Sequence, residues 1–212
     1  MINSTVYVVD DDPAILDSLT LLIQSNGLKT ASFDSAASFL NCYSPEQPGC
    51  LLLDVRMPIM GGLELQEELS KRNFLIPIIF VSGDAEVPES VKAFKAGAVD
   101  FIKKPYDANL LMERIHEALA KDSKFRKWQT ENNKIMACFN SLTAREKQVL
   151  KLICNSHSNK QVGKKLDISY RTVDVHRARI MEKMQAADII ELVIMTMSHT
   201  LFSTPDSTAE EA

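Results

Sequence analysis

Short runs of β-branched and other apolar residues alternate with amphipathic stretches through the first 120 residues. That alternation predicts a parallel sheet covered by helices on both faces. The predicted strands are 6–9, 29–33, 51–53, 76–81 and 101–103, and the predicted helices are 13–25, 35–42, 63–71, 88–96 and 108–119. Pro13 and Pro88 suit first-turn positions, and Gly27 and Gly97 suit helix ends. Five βα units in a row predict a doubly wound α/β domain with strand order 2-1-3-4-5, closing near Leu119.

Residues 120–140 are rich in Lys, Asn and Gln and hold no Gly or Pro, which predicts a helical linker. Phe125, Trp128, Asn132, Ile135 and Phe139 recur at spacings of three and four. A coiled-coil seam and a stripe covered by the chain's own domains both fit that pattern. From Leu142 the pattern is helical without strand signals, so a second, all-α domain is expected. The predicted layout is 1–120, a linker at 121–140, a helical domain at 141–202 and a disordered, acidic tail at 203–212.

With 212 residues, 45% of them hydrophobic, the chain can bury two cores. Its longest apolar runs, such as 76–81, fall far short of the roughly 20 residues that span a bilayer. No membrane helix is expected. Met1 leads into the first strand without a basic and then apolar leader, so the expected location is cytoplasmic. Cys42, Cys50, Cys138 and Cys154 are scattered without metal-ligand spacing and are expected to be buried, reduced thiols. The net charge of −4 conceals a polarity. Residues 1–120 carry about 9 basic against 17 acidic side chains, and residues 121–202 about 15 against 8. The basic half is suited to a polyanion such as DNA, and the acidic half to cations.

In a flavodoxin-like sheet, chemistry gathers beyond the carboxyl ends of the strands. Asp10, Asp11 and Asp12 follow the first predicted strand, Asp54 the third, Ser82 the fourth and Lys104 the fifth. Three clustered carboxylates call for a hard cation, and oxygen ligands suit Mg²⁺. Lys104 adds a movable charge and Ser82 a hydroxyl donor, so the set can hold a phosphoryl group for in-line attack by a carboxylate. Asp12 before Pro13 also reads as an ordinary helix cap.

The segments Val8-Val9-Asp10-Asp11-Asp12, Asp54-Val55-Arg56-Met57-Pro58, Val81-Ser82-Gly83 and Lys103-Lys104-Pro105 resemble the signatures of receiver domains over about the first 120 residues. The resemblance implies that Asp54 is the phosphoacceptor and that Asp10 and Asp11, with Asp54 and the carbonyl of Arg56, hold Mg²⁺. It implies that Ser82 and Lys104 contact the phosphoryl group, that Phe101 is an aromatic switch moving with Ser82, and that Lys104-Pro105 is cis. Arg56 and Asp84, two positions beyond Asp54 and Ser82, are expected to pair across the pocket mouth and slow hydrolysis. Two solvated charges are the alternative.

In the basic half, Thr143 precedes an apolar helical pattern of Val149, Leu150 and Ile153. A second helix is predicted to start near Ser158, and a third to run over 170–184 after a turn at 167–169. The runs Leu142-Thr143-Ala144-Arg145-Glu146, Ser158-Asn159-Lys160 and Thr172-Val173-Asp174-Val175-His176-Arg177 resemble the LuxR-type helix-turn-helix domain from Leu142 to Leu201. With the receiver in front, the whole chain resembles a FixJ-type member of the NarL and FixJ group of response regulators. That resemblance implies base contacts from Arg171, Thr172 and Val175, and phosphate or edge contacts from Lys160, His176, Arg177 and Arg179. Asp174 is placed to accept from cytosine N4 or to orient an arginine. Ser156, Asp167 and Gln185 stand where the pattern has glycine, and Gly163 where it has alanine. The implied partners are a sensor histidine kinase, double-stranded DNA, a second copy of the chain after phosphorylation and, as a further candidate, RNA polymerase. Two rivals are a phosphohydrolase, which lacks a general acid at Arg56, and a DNA-binding protein whose receiver is only a dimerisation scaffold.

Overall fold

The computed structural model describes residues 4–83 and 87–198. The chain divides between Lys127 and Trp128 into two compact units. In the first, β1 (Thr5–Val9), β2 (Lys29–Phe33), β3 (Gly49–Leu53), β4 (Ile78–Ser82) and β5 (Asp100–Lys103) form one all-parallel sheet in the order β2-β1-β3-β4-β5. This is the doubly wound α/β fold. Side chains alternate across each strand. Tyr7, Val9, Leu51, Leu53 and Phe80 pack on one face with Phe39 of α2 (Ala36–Cys42) and Leu65 of α3 (Gly62–Lys71). Val6, Val8, Leu52, Ile79 and Val81 pack on the other with Leu19 of α1 (Pro13–Ser25) and Leu111 of α5 (Ala108–Asn140). Because both faces are covered, β3 and β4 are buried at every position and read as continuous apolar runs.

The register positions the site. Val9 pairs with Phe33 and Leu53, and Ser82 with Lys103. The strands therefore end at one level, and Asp10, Asp54 and Lys104 are the residues that follow them.

The structure differs from the expected pattern in two respects. The helix expected to end near Leu119 and the helical linker expected at 121–140 form one unbroken helix to Asn140, since no Gly or Pro interrupts it. Among the four cysteines only Cys50 is buried; Cys42 is exposed at the end of α2, and Cys138 and Cys154 are half-buried. All four are free thiols.

The second unit contains the end of α5 and four further helices, α6 (Ala144–Cys154), α7 (Asn159–Leu166), α8 (Tyr170–Met184) and α9 (Ile189–Ser198). Thr143 and Ser158 start α6 and α7 with capping boxes closed by Glu146 and Gln161, and Ser169 caps α8. The core joins Val149, Leu150, Ile153, Val162, Val173, Ile180, Met184 and Leu192. Phe139 is buried in it and Ile135 packs against it, so part of the expected seam is covered by its own unit. α9 was not predicted as a separate element. Among the described residues no helix is long and apolar enough to cross a membrane. Leu201 and the expected tail at 203–212 lie outside the described residues.

Candidate functional site

Two places gather the candidate residues. At the carboxyl end of the sheet, a cavity of about 290 Å³ is lined by Asp10, Asp11, Asp12, Asp54, Arg56, Ser82 and Lys104, among others. Asp10 and Asp54 are 3% and 7% exposed. Lys104 Nζ donates to Asp10 Oδ2 at 2.6 Å and to Asp54 Oδ1 at 2.8 Å. The other carboxylate oxygens are held by backbone: Asp10 Oδ1 accepts from the Asp12 amide at 3.0 Å, and Asp54 Oδ2 from the Arg56 amide at 2.6 Å. Burial pushes the Asp54 pKa above the usual carboxylate value, outweighing Lys104 and the Arg56 amide. Burial acts to lower the Lys104 pKa, but its bonds to Asp10 and Asp54 prevail and raise it.

Among the described residues no three His, Cys, Asp or Glu side chains converge tightly enough to hold a metal. Two carboxylates meet on Lys104, while Asp11 is exposed and Asp12 caps α1 by accepting from the Ala14 amide at 2.8 Å. The lining still sets four carboxylates against two cations, and that surplus of hard oxygen donors fits a dication such as Mg²⁺.

Ser82 is 1% exposed at the end of β4. Phe101 is half-buried and stacks on Phe80 with ring centroids 5.8 Å apart. The Lys104-Pro105 peptide is cis. Arg56 Nη2 lies 3.9 Å from Glu89 of α4 (Val87–Lys95), while Asp84, its expected partner, lies outside the described residues.

Gly62 was not singled out in the sequence. A Cβ there would meet the Asp54 carbonyl oxygen at 2.1 Å, so only glycine lets α3 begin this close to Asp54. The visible signal is the Gly61-Gly62 pair at the start of an amphipathic helix.

On the second unit, Arg171, Thr172, Val175 and Arg179 are exposed along α8, and Lys160 is exposed on α7. His176 and Arg177 are half-buried, and His176 Nδ1 has no hydrogen-bond partner among the described residues. The Thr172 hydroxyl lies 2.8 Å from that of Ser169, so it takes part in the cap of α8. Asp174 accepts from Asn159 Nδ2, and Asn159 Oδ1 accepts from Arg177 Nη1 at 2.6 Å. The sequence pattern gives Asn159 no signal beyond its position just inside the Ser158 cap. Ser156, Asp167 and Gln185, the three residues in place of glycine, all adopt left-handed φ values of 60°, 53° and 54°. At Gly163 a Cβ would lie 2.7 Å from the Ile168 carbonyl oxygen, which accounts for glycine where the pattern has alanine.

Comparison with known proteins agrees with this division. Residues 6–116 match the response regulator receiver domain, and residues 140–196 match the bacterial regulatory proteins of the luxR family. The chain is 44% identical over 194 residues to the response regulator protein TmoT of Ectopseudomonas mendocina, covering 92% of this chain and 88% of that one. It is 37% identical over 203 residues to the transcriptional regulatory protein FixJ of Azorhizobium caulinodans, covering 96% of each. Among solved structures it matches the response regulator StyR with a TM-score of 0.84 at 39% identity, covering 92% of this chain and 98% of that one. Full-length FixJ from B. japonicum matches with a TM-score of 0.57 at 37% identity, covering 94% and 98%. With an acidic pocket at the strand ends, a capped helix-turn-helix later in the chain and relatives aligned along nearly its whole length, the chain belongs to the two-component response regulators of the NarL and FixJ group, of the FixJ type.

Proposed function

We propose that a sensor histidine kinase phosphorylates Asp54 and that the phosphorylated chain dimerises and binds promoter DNA through α8 to regulate transcription. In this reading residues 1–120 form the receiver, 121–140 the helical connection and 141–202 the DNA-binding domain. The observation that carries the reading is the convergence of Asp10, Asp54 and Lys104 in one cavity beyond the strands. A carboxylate oxygen of Asp54 attacks the phosphorus of a phosphohistidine in line as the P–N bond breaks, and the departing imidazole takes up a proton. Lys104 shifts from pairing with Asp54 to neutralising the phosphoryl oxygens, and Ser82 donates its hydroxyl to one of them. Asp10, Asp11, Asp54 and the Arg56 carbonyl would hold Mg²⁺, which when bound neutralises charge on the transferring group. The chain thus assists its own phosphorylation and dephosphorylation and turns over no separate substrate.

Phe101 follows Ser82, and the shift reshapes the face made by α4, β5 and α5, where Val91 and Phe94 of α4 are exposed. A two-fold dimer built there presents two copies of α8 to half-sites about one DNA turn apart, within reach of RNA polymerase. Arg56, at the pocket mouth beside Glu89, slows the approach of water to the acyl phosphate.

Phos-tag electrophoresis after acetyl phosphate treatment with Mg²⁺ tests this directly. The wild type is expected to shift and D54A to remain unshifted, and R56A is expected to lose its shift faster than the wild type. An unshifted wild type would favour a receiver that serves only as a scaffold.

A further inference from the structure

Asp174 is the one acidic residue in the first half of α8, among Arg171, His176, Arg177 and Arg179. A carboxylate on a helix that approaches phosphates weakens binding unless it does something specific. Its surroundings indicate what that is. At 3.6 residues per turn, Arg171, Asp174, Val175 and Ala178 share the exposed side of α8, opposite Val173, Ile180 and Met184. Asp174 Oδ1 accepts from Asn159 Nδ2, and Asn159 Oδ1 accepts from Arg177 Nη1 at 2.6 Å.

The direction of this relay follows from its ends. An ionised carboxylate only accepts and a guanidinium only donates, so the amide of Asn159 has a single orientation that satisfies both. Arg177 is thereby held to Asn159, while Asp174 keeps its charge on the exposed side. Oδ2 is the oxygen that Asn159 does not engage.

We infer that Asp174 reads a base. Held from α7 by Asn159, it accepts a hydrogen bond from an exocyclic amino group in the major groove. Cytosine N4 fits best. Adenine sets its N7 acceptor beside N6, guanine presents two acceptors, and thymine presents O4, so each of these places a lone pair against the carboxylate. The same residue thus attracts one base and repels the others, which accounts for a negative charge on a DNA-facing helix. The alternative is that Asp174 merely ends a relay that aims Arg177, in which case its loss would act on all sequences alike.

This inference rests on the proposed DNA binding, and the test separates the two. Full-length wild type, D174A and N159A, each treated with acetyl phosphate and Mg²⁺, are used to select from a randomised duplex library. Dissociation constants are then measured for the wild-type consensus and for its single-base variants. The expected result is one cytosine per half-site on which the wild type depends by about tenfold. D174A is expected to lose that preference while keeping the preferences at other positions, and N159A to weaken it. A D174A profile that keeps every preference and changes affinity uniformly would overturn the inference while leaving DNA binding intact. A wild type that selects no sequence would overturn both.

Discussion

Glu146 illustrates how much a single residue depends on packing. It is 2% exposed, closes the capping box with the Thr143 amide at 2.8 Å, and accepts from Lys183 Nζ at 2.8 Å. Burial acts to raise its pKa, but Lys183 and Thr143 outweigh burial and take it from 4.5 down to about 2. A carboxyl whose pKa is depressed by folding adds stability that is complete above pH 4.5 and disappears as pH falls toward 2. E146Q is therefore expected to lower stability to urea at pH 7 by about 2 kcal/mol. The gap to the wild type should close as pH falls through that window, followed by circular dichroism. The cap was legible from the Thr143-Ala144-Arg145-Glu146 run. Lys183 was not, because it reaches Glu146 only when α8 packs on α6. Asp10, Asp54 and Lys104 were legible for the opposite reason: each follows a strand, and parallel register brings the strand ends together. What the residues alone did not reveal was that Asp11 is exposed while Lys104 bonds to both buried carboxylates.

At the scale of elements, the ends of helices carry three of the four departures named from the LuxR-type pattern. Ser156, Asp167 and Gln185 occupy left-handed conformations that favour glycine. Gln185, at the C-cap of α8, has neither the freedom of glycine nor the short polar side chain that helps Asp tolerate this region. Q185G is expected to raise the stability of the helical unit by roughly 0.5–1 kcal/mol, seen as a higher melting temperature. G163A is expected to lower it, because the new methyl meets the Ile168 carbonyl across the α7–α8 turn. These departures could be seen in the sequence, but the conformation that reconciles them could not. A helical linker was legible after Leu119, but its continuity with α5 was hidden for a different reason. A five-unit sheet is satisfied by a helix ending near Leu119, and nothing in the local pattern announces that Asp122 is buried beyond it. There Asp122 accepts from the Gly49 amide and from Arg126, which in turn donates to the carbonyls of Glu46 and Gln47, fastening the continued helix to the chain entering β3.

At the scale of the whole molecule, the acidic first half and basic second half are suited to different partners: cations in one, a polyanion such as DNA in the other. This division was the most legible feature of all, since charge counting needs no fold. The proposed coupling between the halves was the least legible, because such coupling would rest on a small difference in free energy between two receiver conformations. It is also where the proposed function is most exposed to test. The decisive measurement is the affinity of the full-length protein for a duplex selected from a random library, by fluorescence anisotropy, before and after acetyl phosphate treatment with Mg²⁺. Treatment is expected to tighten wild-type binding by about tenfold or more, a shift of about 1.4 kcal/mol, and to leave D54A unchanged. Equal affinity before and after treatment, in a wild type shown to be phosphorylated, would contradict control of α8 by Asp54.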